Sequence, residues 1–324
     1  MRLGVPCGAH GGGSLIQFEG SSLSGRVSST VPSVLHYPPP MSGNIAVRTL
    51  AVVNRKGGSG KTTTAVSLAA ALAARGLPIL LVDLDPQASA SVWLADRSDD
   101  RDPFDAFMGA RSLGAIAEKT GVPGLQIVRS SASLLTAERT LKGDMSLGVV
   151  RAVEGLRPDW AFVIIDCPPS LSYLSVGALM AVREVVIPVE AHSIALPGVA
   201  AVVREIGRIQ STFNPLLRDP LIVACRVNRT IHARRVVDEL DHVYGSRLAR
   251  ATIRDSIRLA EAEAARLPIT DYAPESGACI DYRMLAEEVL EREWVSEPAP
   301  RHESRWRRLF HRSGHIAAFK RRAV

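Results

Sequence analysis

Eight consecutive residues, Lys56-Gly57-Gly58-Ser59-Gly60-Lys61-Thr62-Thr63, bring together two lysines, three glycines and three hydroxyls. That mixture suits an anion with several oxygens. Glycines let backbone N–H groups turn inward around it, lysines supply charge, and a hydroxyl can reach a metal ion. Two further stretches carry matching chemistry. Asp83-Leu84-Asp85-Pro86-Gln87 sets two carboxylates close together, and Asp166-Cys167-Pro168-Pro169-Ser170 opens with a third. Carboxylates so close repel one another unless a cation or a water network uses them.

The hydrophobic pattern predicts the elements that position these groups. Residues 50–53 are a short apolar run of strand type, and 62–75 read as an alanine-rich helix. Strand, glycine loop, helix is the layout of a phosphate-binding loop, where the helix N-terminus adds about half a positive charge. In that layout Lys61 reaches the terminal phosphates of a nucleotide and the Thr62 hydroxyl holds Mg²⁺. A second strand, 79–83, runs into the paired aspartates. Alternation predicts Asp83 and Asp85 on one face at its carboxyl end, where α/β sheets bind ligands. The competing reading is a solvated loop with Ser89 as a helix cap. A third strand, 161–165, ends in Asp166, whose carboxylate then faces the Mg²⁺ through a water.

Further strands are expected at 125–128, 185–189 and 221–227. Helices are expected at 89–96, 147–156, 195–212, 232–244 and 278–292, with short helical pieces near Phe104 and Ile116. Repeated strand–helix units with near-continuous apolar strands predict an α/β fold of P-loop NTPase type. Its sheet is mostly parallel and twisted, with helices on both faces.

The loop departs from G-x-x-x-x-G-K-[ST] at one place: Arg55 stands where the first glycine falls, and Lys56 follows it. The run Lys56 to Thr63 resembles the deviant Walker A loop of the ParA/MinD family of ATPases. Other runs narrow the resemblance to ParA/Soj-type partition ATPases. They are the two aspartate stretches, Pro188-Val189-Glu190-Ala191 with Leu196-Pro197-Gly198, and Ile253-Arg254-Asp255-Ser256-Ile257-Arg258-Leu259-Ala260-Glu261-Ala262. The last is similar to I-P-R-x-V-R-L-x-E-A. It has Thr252-Ile253 at the proline step and Asp255-Ser256 at the spacing positions. The resemblance covers about residues 48 to 292.

The resemblance implies an ATPase using ATP and Mg²⁺, with Lys56, Gly57, Gly58, Ser59, Gly60, Lys61, Thr62 and Thr63 on the nucleotide. It implies that Lys56 crosses a dimer interface to the other subunit's nucleotide and that Asp85 positions the attacking water. The catalytic set is then Lys56, Lys61 and Asp85, and the metal set Thr62, Asp166 and Asp85. It further implies an ATP-dependent homodimer that binds nonspecific DNA and is released on slow hydrolysis, stimulated by a ParB-like partner. The implied setting is cytoplasmic and nucleoid-associated. Asn228 can donate to and accept from a base edge, so it is either an adenine contact or a polar strand terminus. Arg229, Arg234, Arg235, Arg254 and Arg258 are the DNA candidates, although a solvated helix face explains Arg234 and Arg235 equally well. Two alternatives stand beside this reading: a MinD-like membrane-surface positioner, against which the Asp83–Gln87 run argues, and a ParA-like positioner of a protein cargo.

The whole chain agrees with such a body. Its 324 residues are 46% hydrophobic, enough for a sizeable core, and no apolar stretch approaches the ~18 residues of a spanning helix. Cys7, Cys167, Cys225 and Cys279 form no C-x-x-C pair, which argues against a zinc site or disulfide framework. Cys167 is expected to be a buried spectator. The net charge of +6 is concentrated at the end, since 301–324 carry seven arginines and one lysine against Glu303. Removing that +7 and the +1 of residues 1–40 leaves −2 for 41–300. The basic pI therefore does not mark the globular part as nucleic-acid binding.

Residues 1–40, rich in Gly, Ser and Pro, read as a disordered segment. They are a candidate misassigned extension if translation starts at Met41, which an intact mass would decide. The ATPase domain is then 41–295 and the basic tail 296–324. In the tail Trp306, Leu309, Phe310 and Ile316 fall on one helical face that Gly314 interrupts. An accessory nucleic-acid contact, a membrane anchor and a solubilising end are its three readings.

Overall fold

The computed structural model describes residues 47–95, 102–191 and 196–292. The expected disordered segment 1–40, the Met41 start and the tail 296–324 lie outside the described residues, as do parts of the loop after residue 95.

Among the described residues, seven strands form one sheet: β1 (Arg48–Val52), β2 (Ile79–Asp83), β3 (Glu118–Lys119), β4 (Leu125–Val128), β5 (Phe162–Asp166), β6 (Glu184–Glu190) and β7 (Leu221–Cys225). Their order is β3-β4-β2-β5-β1-β6-β7, all parallel except β3, which pairs antiparallel with β4 at the edge. The helices are α1 (Lys61–Ala73), α2 (Ser89–Leu94), α3 (Pro103–Phe107), α4 (Leu113–Ile116), α5 (Ser133–Leu141), α6 (Gly143–Glu154), α7 (Tyr173–Ala181), α8 (Leu196–Thr212), α9 (Ile231–Tyr244), α10 (Ile257–Ala264), α11 (Ile269–Tyr272) and α12 (Gly277–Glu291).

Every residue of β1, β2, β5 and β7 is buried, so these strands have no polar face. The two-residue alternation instead splits their side chains between two cores. Leu50, Val52, Ile79, Leu81, Phe162 and Ile164 meet α1 and α12 on one face. Ala51, Leu80, Val82, Val163 and Ile165 meet α6, α7 and α8 on the other. This is the covered parallel sheet expected of such apolar strands. Past its first turn helix α1 is mostly Ala, Leu and Val, and it is buried almost throughout, as a helix in contact on most sides must be.

Several elements differ from expectation, each for a local reason. Helix α7, apolar all round, has no polar stripe to mark it in sequence. Helix α6 starts at Gly143, earlier than 147, and Lys142 at φ 44° separates it from α5, which the pattern did not reveal. Helices α6 and α7 cross closely, because a Cβ on Gly177 would come within 2.7 Å of the Ser146 carbonyl oxygen. Strand β7 ends at Cys225 because Arg226 adopts φ 52° and turns the chain out of the sheet. At the sheet's other end Arg48 forks onto Glu184 with Nε and Nη2 each at 2.7 Å, donates to the Val289 carbonyl and lies over the Phe162 ring. That buried pair ties β1, β6 and α12 together well away from the loop chemistry.

Candidate nucleotide-binding site

The carboxyl ends of β2, β5 and β1 lie side by side. Asp166 is in register with Asp83 on one side and with Val52, just before the glycine loop, on the other. The loop needs its glycines: Gly58 at φ 73° and Gly60 at φ 85° occupy the left-handed region, which L side chains rarely adopt. Gly60 is also the N-cap of α1, so the loop's N–H groups and the helix dipole converge. Asn54 braces the loop, donating from Nδ2 to the Pro188 carbonyl and accepting the Lys56 N–H at Oδ1.

Beside this loop lies a cleft of about 600 Å³, within the size range of small-molecule sites. Gly57, Gly58, Gly60, Lys61, Thr62 and Thr63 line one wall, and Asp85, Gln87, Ser89 and Pro169 a second. Arg226 and the 253–260 stretch, with Tyr282 of α12, form the third. The sequence motifs assign no role to Gln87, Arg226 or Tyr282. Tyr282 is buried and shares a 3.3 Å hydrogen bond with Thr64, which joins α12 to the phosphate-loop helix. Only a residue i+218 contact carries that information, so no local pattern announces it.

The two lysines sit differently. Lys61 is buried, and its ammonium donates to the Lys56 carbonyl at 3.3 Å. Burial pulls its pKa down, while Asp166, Asp85 and Cys167 push it back up. Lys56 is 52% exposed at its side chain and donates to Glu190 Oε2 at 2.6 Å.

The paired aspartates do not share a face at the strand end, which corrects the alternation argument. Strand β2 stops at Asp83, and Asp85 lies beyond it in the loop. Asp83 turns into the interior and accepts the Asp85 N–H at 3.1 Å, the Ser91 N–H at 2.8 Å and the Ser91 hydroxyl at 2.7 Å. Burial pushes its carboxyl up to about 6 against those three donors. Asp85 alone faces the cleft, and its Oδ1 accepts the Gln87 N–H at 3.0 Å. The pair has separated into a structural acceptor and a group in the cleft.

Asp166 is fully buried, and neither carboxylate oxygen has a hydrogen-bond partner within ordinary geometry. The Thr62 hydroxyl is near enough to restrain its pKa, yet burial, then Asp83, holds the carboxyl well above the usual range. Two enclosed carboxylate oxygens that accept no hydrogen bond from the protein, beside a hydroxyl, are costly unless a cation meets them. They fit a hydrated Mg²⁺, with Thr62 and Asp166 as its protein neighbours. Among the described residues no group of three or more His, Cys, Asp or Glu could hold a metal ion. Mg²⁺ takes one or two carboxylates and completes its shell with water and substrate phosphates. Cys167 and Cys225 are buried, and burial pushes the Cys167 thiol well up and the Cys225 thiol up to about 12, away from the thiolate form that reacts.

The remaining candidates are dispersed. Ser59 is buried behind the loop and is not among the cleft's lining residues. Asn228 also lies outside that lining, and its Oδ1 accepts the Thr230 N–H and hydroxyl at the start of α9. Arg229, Arg234 and Arg235 are exposed at and after that turn. Arg254 lines the cleft but is bound to Asp281, and Arg258 is exposed and pairs with Glu261 at 2.8 Å.

A mostly parallel sheet, a glycine loop capping a buried helix and carboxylates at adjacent strand ends define a P-loop nucleotide-binding protein. Comparison with known proteins sharpens this. The family described as an AAA domain matches residues 47–218. The chromosome partitioning protein ParA of Caulobacter vibrioides is 34% identical over 260 residues, covering 78% of this chain and 97% of that protein. The chromosome-partitioning ATPase Soj of Thermus thermophilus is 37% identical over 248 residues, covering 76% and 96%. A crystal structure of cobyrinic acid a,c-diamide synthase from Mycobacterium smegmatis with bound ATP analog and magnesium superposes with TM-score 0.65 at 30% identity, covering 76% and 95%. The chain belongs to the ParA/Soj family of partition ATPases.

Proposed function

We propose that this chain is an ATP-dependent positioning ATPase that segregates plasmid or chromosomal DNA. Two copies close on ATP, the dimer holds nonspecific DNA, and slow hydrolysis, stimulated by a ParB-like partner, releases it. The observation that carries this reading is the division between the loop's two lysines. Lys61 is buried against its own subunit's cleft, whereas Lys56 is half exposed beside it, accessible to a second subunit.

Each step rests on this chain's residues. The N–H groups of residues 57–63, at the N-terminus of α1, take the phosphates of ATP, and the Lys61 ammonium moves from the Lys56 carbonyl onto them. Mg²⁺, when bound, neutralises phosphate charge, and Thr62 and Asp166 are the residues that would hold it, with Asp85 nearby. Asp85, its carboxylate plane set by the Gln87 N–H, orients the attacking water. Lys56 reaches the nucleotide of the other subunit. Exposed Arg229, Arg234 and Arg235, with Arg258, supply sequence-independent contacts to DNA phosphates. The ATPase domain spans 41–295, with the basic tail 296–324 as an accessory contact, and the protein works in the cytoplasm on the nucleoid. No helix among the described residues is long and apolar enough to cross a membrane.

Analytical ultracentrifugation with a non-hydrolysable ATP analogue and Mg²⁺ tests this directly. A dimer is expected for the wild type and a monomer for Lys56→Ala. Co-sedimentation with DNA should require the analogue and fall steeply with salt, and co-sedimentation with liposomes should be absent. A wild-type chain that stays a single subunit at saturating nucleotide overturns the reading.

A further inference from the structure

Two cations share one carboxylate beside the cleft. Glu190, the last residue of β6, has a side chain only 16% exposed. Its Oε2 accepts Lys56 Nζ at 2.6 Å, and its Oε1 accepts Arg226 Nη1 at 3.1 Å. The β6–β7 register sets Glu190 opposite Cys225, and the next residue, Arg226, leaves the sheet at φ 52°. A non-glycine residue in that region costs of order 1 kcal/mol and needs support from its surroundings. Here the turn puts the guanidinium within reach of Glu190.

We propose that Glu190 is a latch that holds Lys56 on its own subunit in the resting chain and hands over to Arg226 when Lys56 leaves for a second subunit. The proposal rests on the dimerisation reading above. For Lys56 to reach another subunit's nucleotide it must break a short, charge-assisted bond. A largely buried carboxylate that lost its only cation would carry the full desolvation cost. Glu190 does not face that loss, because Arg226 already holds its other oxygen and has a five-donor fork that can span both. Glu190 is anionic at neutral pH, since the Lys56 hydrogen bond and then Arg226 draw its pKa down against burial. The arrangement therefore restrains the closed dimer without forbidding it. Lys56 binds Glu190 in competition with a second subunit's nucleotide, and Arg226 sets how strongly.

The design predicts opposite effects for its two halves. Glu190→Gln removes the carboxylate charge that holds Lys56, so acylation of Lys56 by N-hydroxysuccinimidyl acetate in the nucleotide-free protein, followed by peptide mass spectrometry, should quicken about three- to tenfold. Unchanged Lys56 labelling overturns the latch. At saturating non-hydrolysable ATP analogue, Glu190→Gln should tighten the dimer about three- to tenfold, and Arg226→Ala should loosen it by a similar factor. In the Glu190→Gln background, Arg226→Ala should have no further effect. Additive losses from the two substitutions would mean a merely structural pair and sink the hand-over. A wild-type chain that never dimerises removes the dimer reading and the hand-over with it, while the labelling experiment decides the latch on its own.

Discussion

Arg254 lies along Asp281 as a fork on a carboxylate, with Nε at 2.7 Å and Nη2 at 2.8 Å, and its own backbone N–H reaches the same carboxylate at 3.0 Å. The pair fastens the cleft's third wall to α12. It also gives Arg254, one of the arginines offered to DNA, a carboxylate partner within its own subunit, while its side chain stays 55% exposed.

Gly277 gives a clean probe of that fastening. A Cβ there would collide with the Arg254 guanidinium, the movable end of a side chain, while alanine suits the first turn of α12. Gly277→Ala should leave stability within about 1 kcal/mol of wild type. It should weaken nucleotide binding several-fold by displacing the wall, as read by titration with a fluorescent ATP analogue. Unaltered binding would show that Arg254 does not shape the site.

Asp85 faces the cleft and Asp83 does not, so the two should separate by function. Asp85→Ala should lower ATP hydrolysis about 10²- to 10⁴-fold, the range for a positioned proton acceptor, while nucleotide still binds. Asp83→Ala should chiefly lower the melting temperature, because three donors from Asp85 and Ser91 lose their acceptor. Phosphate release and thermal melts on both variants check the split.

Asp166 carries an opposite pair of signs. Its oxygens are buried and unpartnered in the nucleotide-free protein, so Asp166→Asn should leave that form as stable as wild type or more so, by about 1–3 kcal/mol. The same substitution should abolish the extra stabilisation given by Mg²⁺ with ATP. Thermal melts with ATP alone and with Mg²⁺ added measure both, and a destabilised nucleotide-free variant with normal Mg²⁺ response would refute the assignment.

Gly177 tests packing far from the loop. Its missing Cβ is what lets α7 approach the Ser146 carbonyl, so Gly177→Ala should overpack the α6–α7 crossing and cost about 1–3 kcal/mol. Urea unfolding would report it as a lower midpoint with an unchanged slope.

The amino-acid sequence alone determined the elements whose information is local. Loop 56–63 has Gly58 and Gly60 where positive φ is required, and the strands are apolar because both faces of the sheet are covered, so both were readable residue by residue. Helix α7 was not, since a helix made almost wholly of apolar residues lacks the polar stripe that marks periodicity. Tertiary structure alone decided which aspartate faces the cleft, that Arg254 is bound to Asp281, and that Glu190 gathers Lys56 and Arg226 from positions 134 and 36 residues away. A carboxylate's role depends on which donors and charges surround it, and parallel strands bring those together from distant parts of the chain.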